Sequence, residues 1–138
     1  MGSDHAGYEM KEILVDYVKA MGIDVEDIGT DSTEAVDYPD FGHKLGSLVG
    51  GGSYSLGISI CGSGNGINMT TNKHPGVRGA ICWNEEISEM ARRHNDANIC
   101  SIPARYINLE TAKNIVKIFL ETGFDGGRHA KRIKKIDV

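Results

Sequence analysis

The chain has 138 residues, 40% of them hydrophobic and 25% charged, with a formal net charge of −4; this is the profile of one globular domain over residues 1–138. The negative balance argues against nucleic acid as a partner. No apolar run nears the roughly 18 residues that span a membrane, and no basic segment with an apolar run opens the chain, so no membrane partner is expected and the cytoplasm is the expected location. Three cysteines, Cys61, Cys82 and Cys100, are an odd number without metal-ligand spacing, which fits free thiols in a reducing compartment.

Residues 8–21 set Met10, Ile13, Leu14, Tyr17, Val18 and Met21 on one helical face, and Gly22 closes that helix. Ile23 to Ile28 reads as a strand. Asp37-Tyr38-Pro39-Asp40 reads as a turn before a helix over 42–50, which Gly50, Gly51 and Gly52 end. Leu56 to Cys61 is a nearly uninterrupted apolar run, as in a strand covered on both faces. A short helix over 66–73 and a strand from Val77 to Cys82 follow. Asn84 is placed to cap a helix with Ile87, Met90, Ala91 and His94 on one side. A strand from Asn98 to Ile102 and helices at about 109–121 and 126–136 complete the chain. Strands alternating with helices predict parallel β-α-β units, hence a three-layer α/β/α sandwich with a Rossmann-like sheet. Ligands in such folds sit at the carboxyl ends of the strands.

The sharpest feature there is Cys61-Gly62-Ser63-Gly64-Asn65-Gly66, three alternate glycines between a buried strand and a helix. Glycine lets a ligand approach the backbone, and the amides of such a turn suit a negatively charged oxygen. The spacing is not that of a dinucleotide fingerprint, and Cys82 stands where a ribose-binding acid would end the next strand. The plain alternative is a tight strand-to-helix turn. Cys61, at its mouth, is either a small buried hydrophobe or a thiol activated as base or nucleophile by the helix N-terminus. Asp4 and His5 precede the first helix, as an N-cap with a chance histidine or as groups that handle sugar hydroxyls and protons.

His94 ends the helix that starts near Asn84. It is a satisfied core histidine or, favoured as a cation by the helix dipole, an acid–base group acting on a ring oxygen. Arg128 and Arg132 are four apart, with Lys131 and Lys135 beside them; such like-charge pairs repel by about 0.2–0.5 kcal/mol each. A bound phosphate would offset that repulsion; otherwise the residues form a solvated basic face. Arg105 follows a strand closely enough to reach the same ligand, and Tyr38 could close over it.

The series SDHAG, DYP, ICGSGNGI, NKHPGVR, CWNEEI, RHNDANI and GGRH covers essentially the whole chain. In that order it resembles the ribose-5-phosphate isomerase B family, the group that also contains the galactose-6-phosphate isomerase subunits. The resemblance implies interconversion of ribose 5-phosphate and ribulose 5-phosphate through an enediolate, with no metal or organic cofactor. It implies Cys61 as the base, with Ser63 as a second candidate in the same turn, and His94, with Asp4, as the group that opens the furanose ring. The backbone from Gly62 through Gly64 and Asn65 to Gly66 would hold the enediolate oxygen, and Asn95 and Tyr38 would meet hydroxyls. His5, Arg105, Arg128 and Arg132 would bind phosphate, in a homodimer or homotetramer whose active sites are shared between subunits. The family has a short strand before SDHAG, so with only Met1-Gly2 ahead of it the first strand is expected to be missing or truncated before residue 1. Two other functions compete. One is a hexose-6-phosphate isomerase of the same group, acting on allose or galactose phosphates; the other is a non-catalytic phosphosugar-binding module, which has no need of a thiol over the ligand carbons.

Overall fold

The apolar spacing near the start of the chain produces helix α1, Tyr8–Ala20, which buries Leu14, Val15 and Val18. It stops where Gly22 takes φ +81°, a conformation that costs glycine nothing. Helix α2, Tyr38–Gly50, begins four residues before the expected helix over 42–50. What reads as a turn at Asp37–Asp40 is its first turn. Asp37 is extended at the N-cap and Pro39 sits in the first turn, where a missing N–H leaves no bond unmade. Helix α3 is Asn65–Thr71 and α4 is Glu85–Asn95. Asn84 caps α4 as expected, its Oδ1 accepting the Ile87 N–H at 2.8 Å. Helix α5 is Leu109–Glu121. Helix α6, Arg128–Ile133, is shorter than the stretch expected at 126–136, because Gly126 and Gly127 both hold positive φ and turn the chain first.

The computed structural model describes residues 1–138, and its strands form one parallel sheet. They are β1 (Gly2–Ser3), β2 (Gly57–Cys61), β3 (Gly79–Ile81) and β4 (Ile99–Pro103), in the order β1-β2-β4-β3. The first strand is present but only two residues long: Gly2 and Ser3 pair with Ser59 and Ile60, and the Asp4 N–H continues the ladder to the Ile60 carbonyl at 3.3 Å. One expectation is corrected here. Ile23 to Ile28, by contrast, forms no strand of its own. Its last residues and those just after it run along the far side of β1, the Met1 amine donating to Glu26 O (2.7 Å), the Ile28 N–H to Met1 O (2.8 Å) and the Thr30 N–H to Ser3 O (3.0 Å).

Alternation along the strands builds the layers. Ile58, Ile60, Cys100 and Ile102 face one side, where they meet Leu14, Val18, Ala112, Ile115, Val116 and Phe119 of α1 and α5. Ile99 faces the other side with Leu45 and Val49 of α2 and Val77. All five residues of β2 and all five of β4 are buried, as a sheet covered on both faces requires. The segment beside β1 is clamped to α1 by Lys11, which is 1% exposed and ion-paired to Glu12 (2.6 Å) and to Asp27. Burial alone would lower the Lys11 pKa, but the hydrogen bonds to Asp27 and Glu12 outweigh it and raise the value. A Cβ at Gly29 would lie 2.6 Å from the Lys11 Cδ, so this stem crosses the chain where glycine leaves room.

Candidate active site

The carboxyl ends of β1, β2 and β4 lie side by side, and the parallel register places Cys61 beside Pro103. The chain leaving β4 is tied back to β2: the Ala104 N–H donates to Cys61 O (2.9 Å) and the Arg105 N–H to Gly62 O (3.0 Å). The chain leaving β2 turns through Gly62-Ser63-Gly64 into α3. Gly64 is the left-handed N-cap at φ +75°, and an added Cβ there would stand 3.3 Å from the Ile102 and Pro103 backbone. The Ser63 Oγ accepts the Asn65 N–H at 3.3 Å, so this hydroxyl shapes the turn.

Above these strand ends opens a cleft of about 230 Å³. Cys61, only 4% exposed, stands at its floor with Gly62, Ser63 and Gly66. Asp4, His5 and Ala6 form one wall; Tyr38, Arg105 and Tyr106 complete it. Asp4 is buried, and its Oδ1 accepts from the amides of Ala6 (3.0 Å) and Gly7 (3.2 Å). The capping role and the place in the cleft therefore coexist. The Val36 N–H donates to His5 Nδ1 at 3.2 Å, which leaves the proton of the neutral ring on Nε2. Gly66 is required by packing: a Cβ there would fall 2.5 Å from the Tyr38 ring. Arg105 lies across Gly62, its Nη1 3.1 Å from where a Cβ would be.

His94, Asn95, Arg128 and Arg132 do not line this cleft; nor do Gly64 and Asn65, which support it from within the turn. His94 sits in the last turn of α4 and stacks on His129 of α6, ring centroids 4.3 Å apart and planes 8° from parallel. Burial lowers the His129 pKa, with His94, Arg128 and Arg132 adding their charge and Asp125 opposing them. Asp125 is held by Arg93, whose Nε reaches both carboxylate oxygens at 3.2 Å. The next residue after Asn95, Asp96, takes φ +45° and is fixed in it by Arg78 and Arg92. That lock turns the chain away directly after His94 and Asn95.

His94, Asp125 and His129 offer three ligand atoms within 4.8 Å of one another. Parallel ring planes share no point, however, so one ion cannot lie in the plane of both imidazoles. Arg93 already occupies the carboxylate, and the nearby arginines repel a cation. The group suits an anion better. Sequence reasoning missed Tyr106, Asp125 and His129 as parts of these two constellations. Only the step from Arg105 to its neighbour, and the histidine after Arg128, signalled the first and the last.

A larger hollow, about 280 Å³, lies at the opposite end of the sheet, under the start of β2. Of its 14 lining residues 11 are hydrophobic, and none is a histidine, cysteine, lysine or arginine. Size alone would select that end, which lacks the acid–base side chains gathered above Cys61.

Comparison with known proteins agrees with the geometry. The family model described as Ribose/Galactose Isomerase matches residues 1–136. Ribose-5-phosphate isomerase B of Escherichia coli strain K12 is 38% identical over 135 residues, 98% of this chain and 91% of that protein. The solved ribose-5-phosphate isomerase B of Clostridium thermocellum superposes with a TM-score of 0.96 at 47% identity, covering 98% of this chain and 91% of its own. That of Mycoplasma genitalium, with ribulose-5-phosphate bound, gives 0.95 at 38% identity, covering 98% and 90%. A match along nearly the whole length, over a cleft built from the same segments that carry the sequence motifs, places this chain in the ribose/galactose isomerase family.

Proposed function

We propose that the chain is an aldose–ketose isomerase that interconverts ribose 5-phosphate and ribulose 5-phosphate, as one domain over residues 1–138 working in the cytoplasm. The observation that carries this reading is Cys61 at the floor of a polar cleft, between Asp4 and a glycine turn, at the carboxyl end of a parallel sheet. The Mycoplasma relative with ribulose-5-phosphate bound supports the choice of substrate.

In this mechanism Cys61, as thiolate, takes the proton from C2 of the open-chain aldose. The electron pair moves to form the enediolate, and the proton returns to C1 while the hydroxyl proton passes from O2 to O1. Such positioned proton transfer contributes roughly 10²–10⁴-fold. Backbone amides of the 62–66 turn stabilise the developing oxyanion, where one donor is worth about 10²–10³-fold. Asp4 assists at the ring oxygen, and Tyr38 closes the cleft against Gly66. His5 and Arg105 bind the phosphate end, whose fixed position orients the reacting carbons.

His94, Asn95, Arg128 and Arg132 enter the same scheme from a second copy of the chain, in a dimer or pair of dimers. Two features support that arrangement. These residues stand outside the chain's own cleft. Large apolar side chains are also exposed on the neighbouring elements: Met69 at 63% and Trp83 at 53%. The deciding experiment follows ribose 5-phosphate conversion by the purified protein, with and without chelator, beside allose 6-phosphate and galactose 6-phosphate. Chelator-insensitive turnover, fastest on the pentose, is expected; absence of turnover on all three in folded protein would leave the binding module.

A further inference from the structure

Two aromatic side chains bound the cleft, and they are held in opposite ways. Tyr38 cannot retreat toward the turn, because its ring fills the space that any side chain at Gly66 would need. Tyr106 is anchored through its backbone alone. Its N–H donates to Pro103 O at 3.0 Å, and the two amides before it are tied to Cys61 and Gly62. Its Cα is therefore fixed relative to Cys61, while its ring, 76% exposed, is free to change rotamer. The Tyr106 wall is the freer of the two, since Tyr38 is only 41% exposed and is blocked on the side of the turn.

Within one chain the cleft holds about 230 Å³, below the roughly 300–1,000 Å³ common for ligand sites. A single CHOH unit, close to the ~30 Å³ that a water takes in the liquid, is thus on the order of a tenth of it. Acceptance of one more carbon turns on whichever wall can yield. From this we infer that the Tyr106 ring sets the length of sugar phosphate the cleft admits, favouring five carbons over six. The inference rests on the isomerase reading, and it assigns Tyr106 to specificity rather than to proton transfer. Tyrosine chemistry suits that role, because its face packs on sugar C–H groups and its hydroxyl can bond the terminal oxygens of a chain of the right length.

The test compares wild type with Tyr106→Ala and Tyr106→Trp, measuring kcat and KM on ribose 5-phosphate and allose 6-phosphate, with solution mass determined for each protein. Removing the ring should raise the hexose-to-pentose ratio of kcat/KM by about tenfold or more, the scale at which one carbon is discriminated in a fitted pocket. The larger indole should lower that ratio. A ratio that stays flat across both variants overturns the inference, as does a wild type already faster on the hexose. A change that appears only together with a change in solution mass also overturns it, since the ring would then act between copies. Wild type inactive on ribose 5-phosphate is a different outcome: it removes the isomerase reading itself.

Discussion

The cleft above β2 and the stacked histidines at the end of α4 draw on the same chemical vocabulary, yet they are built differently. Four separated stretches (4–6, Tyr38, 61–66 and 105–106) meet in the cleft because β1, β2 and β4 are adjacent and parallel. Its floor is a strand end, held by ladder hydrogen bonds. The histidine group instead depends on contact between two helix ends, with Arg93 and Asp125 as its brace. It is flanked by positive charge, with Arg128 and Arg132 exposed beside the buried His129. On the proposed mechanism, one chain would hold the proton-transfer group at a strand end and carry part of the anion-binding set on a separate pair of helix ends; each half would then need the other, which is why two copies are proposed to meet.

The largest expected effect breaks the cleft side alone. Cys61→Ala should lower kcat by about 10³-fold or more while the dissociation constant for ribose 5-phosphate stays near wild type. A stopped-assay progress curve with calorimetric binding checks both; substantial residual turnover would sink the base assignment and return attention to Ser63.

Mixing separates the two halves more sharply. Cys61→Ala and His94→Ala proteins, each inactive, should recover turnover when unfolded and refolded together, because one of the two shared sites in a mixed dimer carries neither change. If the mixture stays as inactive as its components, each cleft must work with its own chain's His94.

A weaker effect is expected from the surface cations. Arg128→Ala with Arg132→Ala should raise KM about tenfold or more, the scale of charge-assisted hydrogen bonds, and leave kcat comparatively intact. No change in either constant would show that phosphate binds elsewhere.

The smallest effect is a pH slope. The folded protein holds the His129 pKa below the ordinary 6.5. Below that pH the unfolded chain takes up the proton more readily, so the histidine's contribution to stability is complete above pH 6.5 and is lost as pH falls through the folded value. His129→Gln should flatten the decline of Tm between about pH 7 and 5; an unchanged slope would mean that the stacked ring is not protonation-sensitive.

Much of this was legible beforehand where local physics agreed with the fold. The periodicity over 109–121 matches α5, and Leu56 to Cys61 shows its two-sided burial in its composition. Asn84 announced a cap and supplied it. The misreadings share a cause. Ile23 to Ile28 has strand-like residues, but its backbone bonds toward β1 begin only at its end, through Glu26, Ile28 and then Thr30. Lys11 gives no sign that it belongs to the core, because its partner Asp27 lies 16 residues away. The cleft residues Asp4, His5, Cys61 and Arg105 could be nominated because each follows or borders a strand end, and Tyr38 from the DYP segment that opens α2. Tyr106 could not, since nothing in its neighbourhood distinguishes an exposed ring over a cleft from one in open solvent.

The sequence by itself determined most of the helices and central strands, the parallel α/β class and the end of the sheet to search for a site. Hydrophobic period, caps and glycine placement act over a few residues and leave their mark in the order of the chain. Only the tertiary structure decided which candidates share a cavity. Strand order and helix contacts bring residues far apart in the chain within a side chain's reach, and no local pattern encodes that separation. For that reason His94 and Arg128, drawn from the same series of motifs as Cys61, stand outside its cleft in the folded chain.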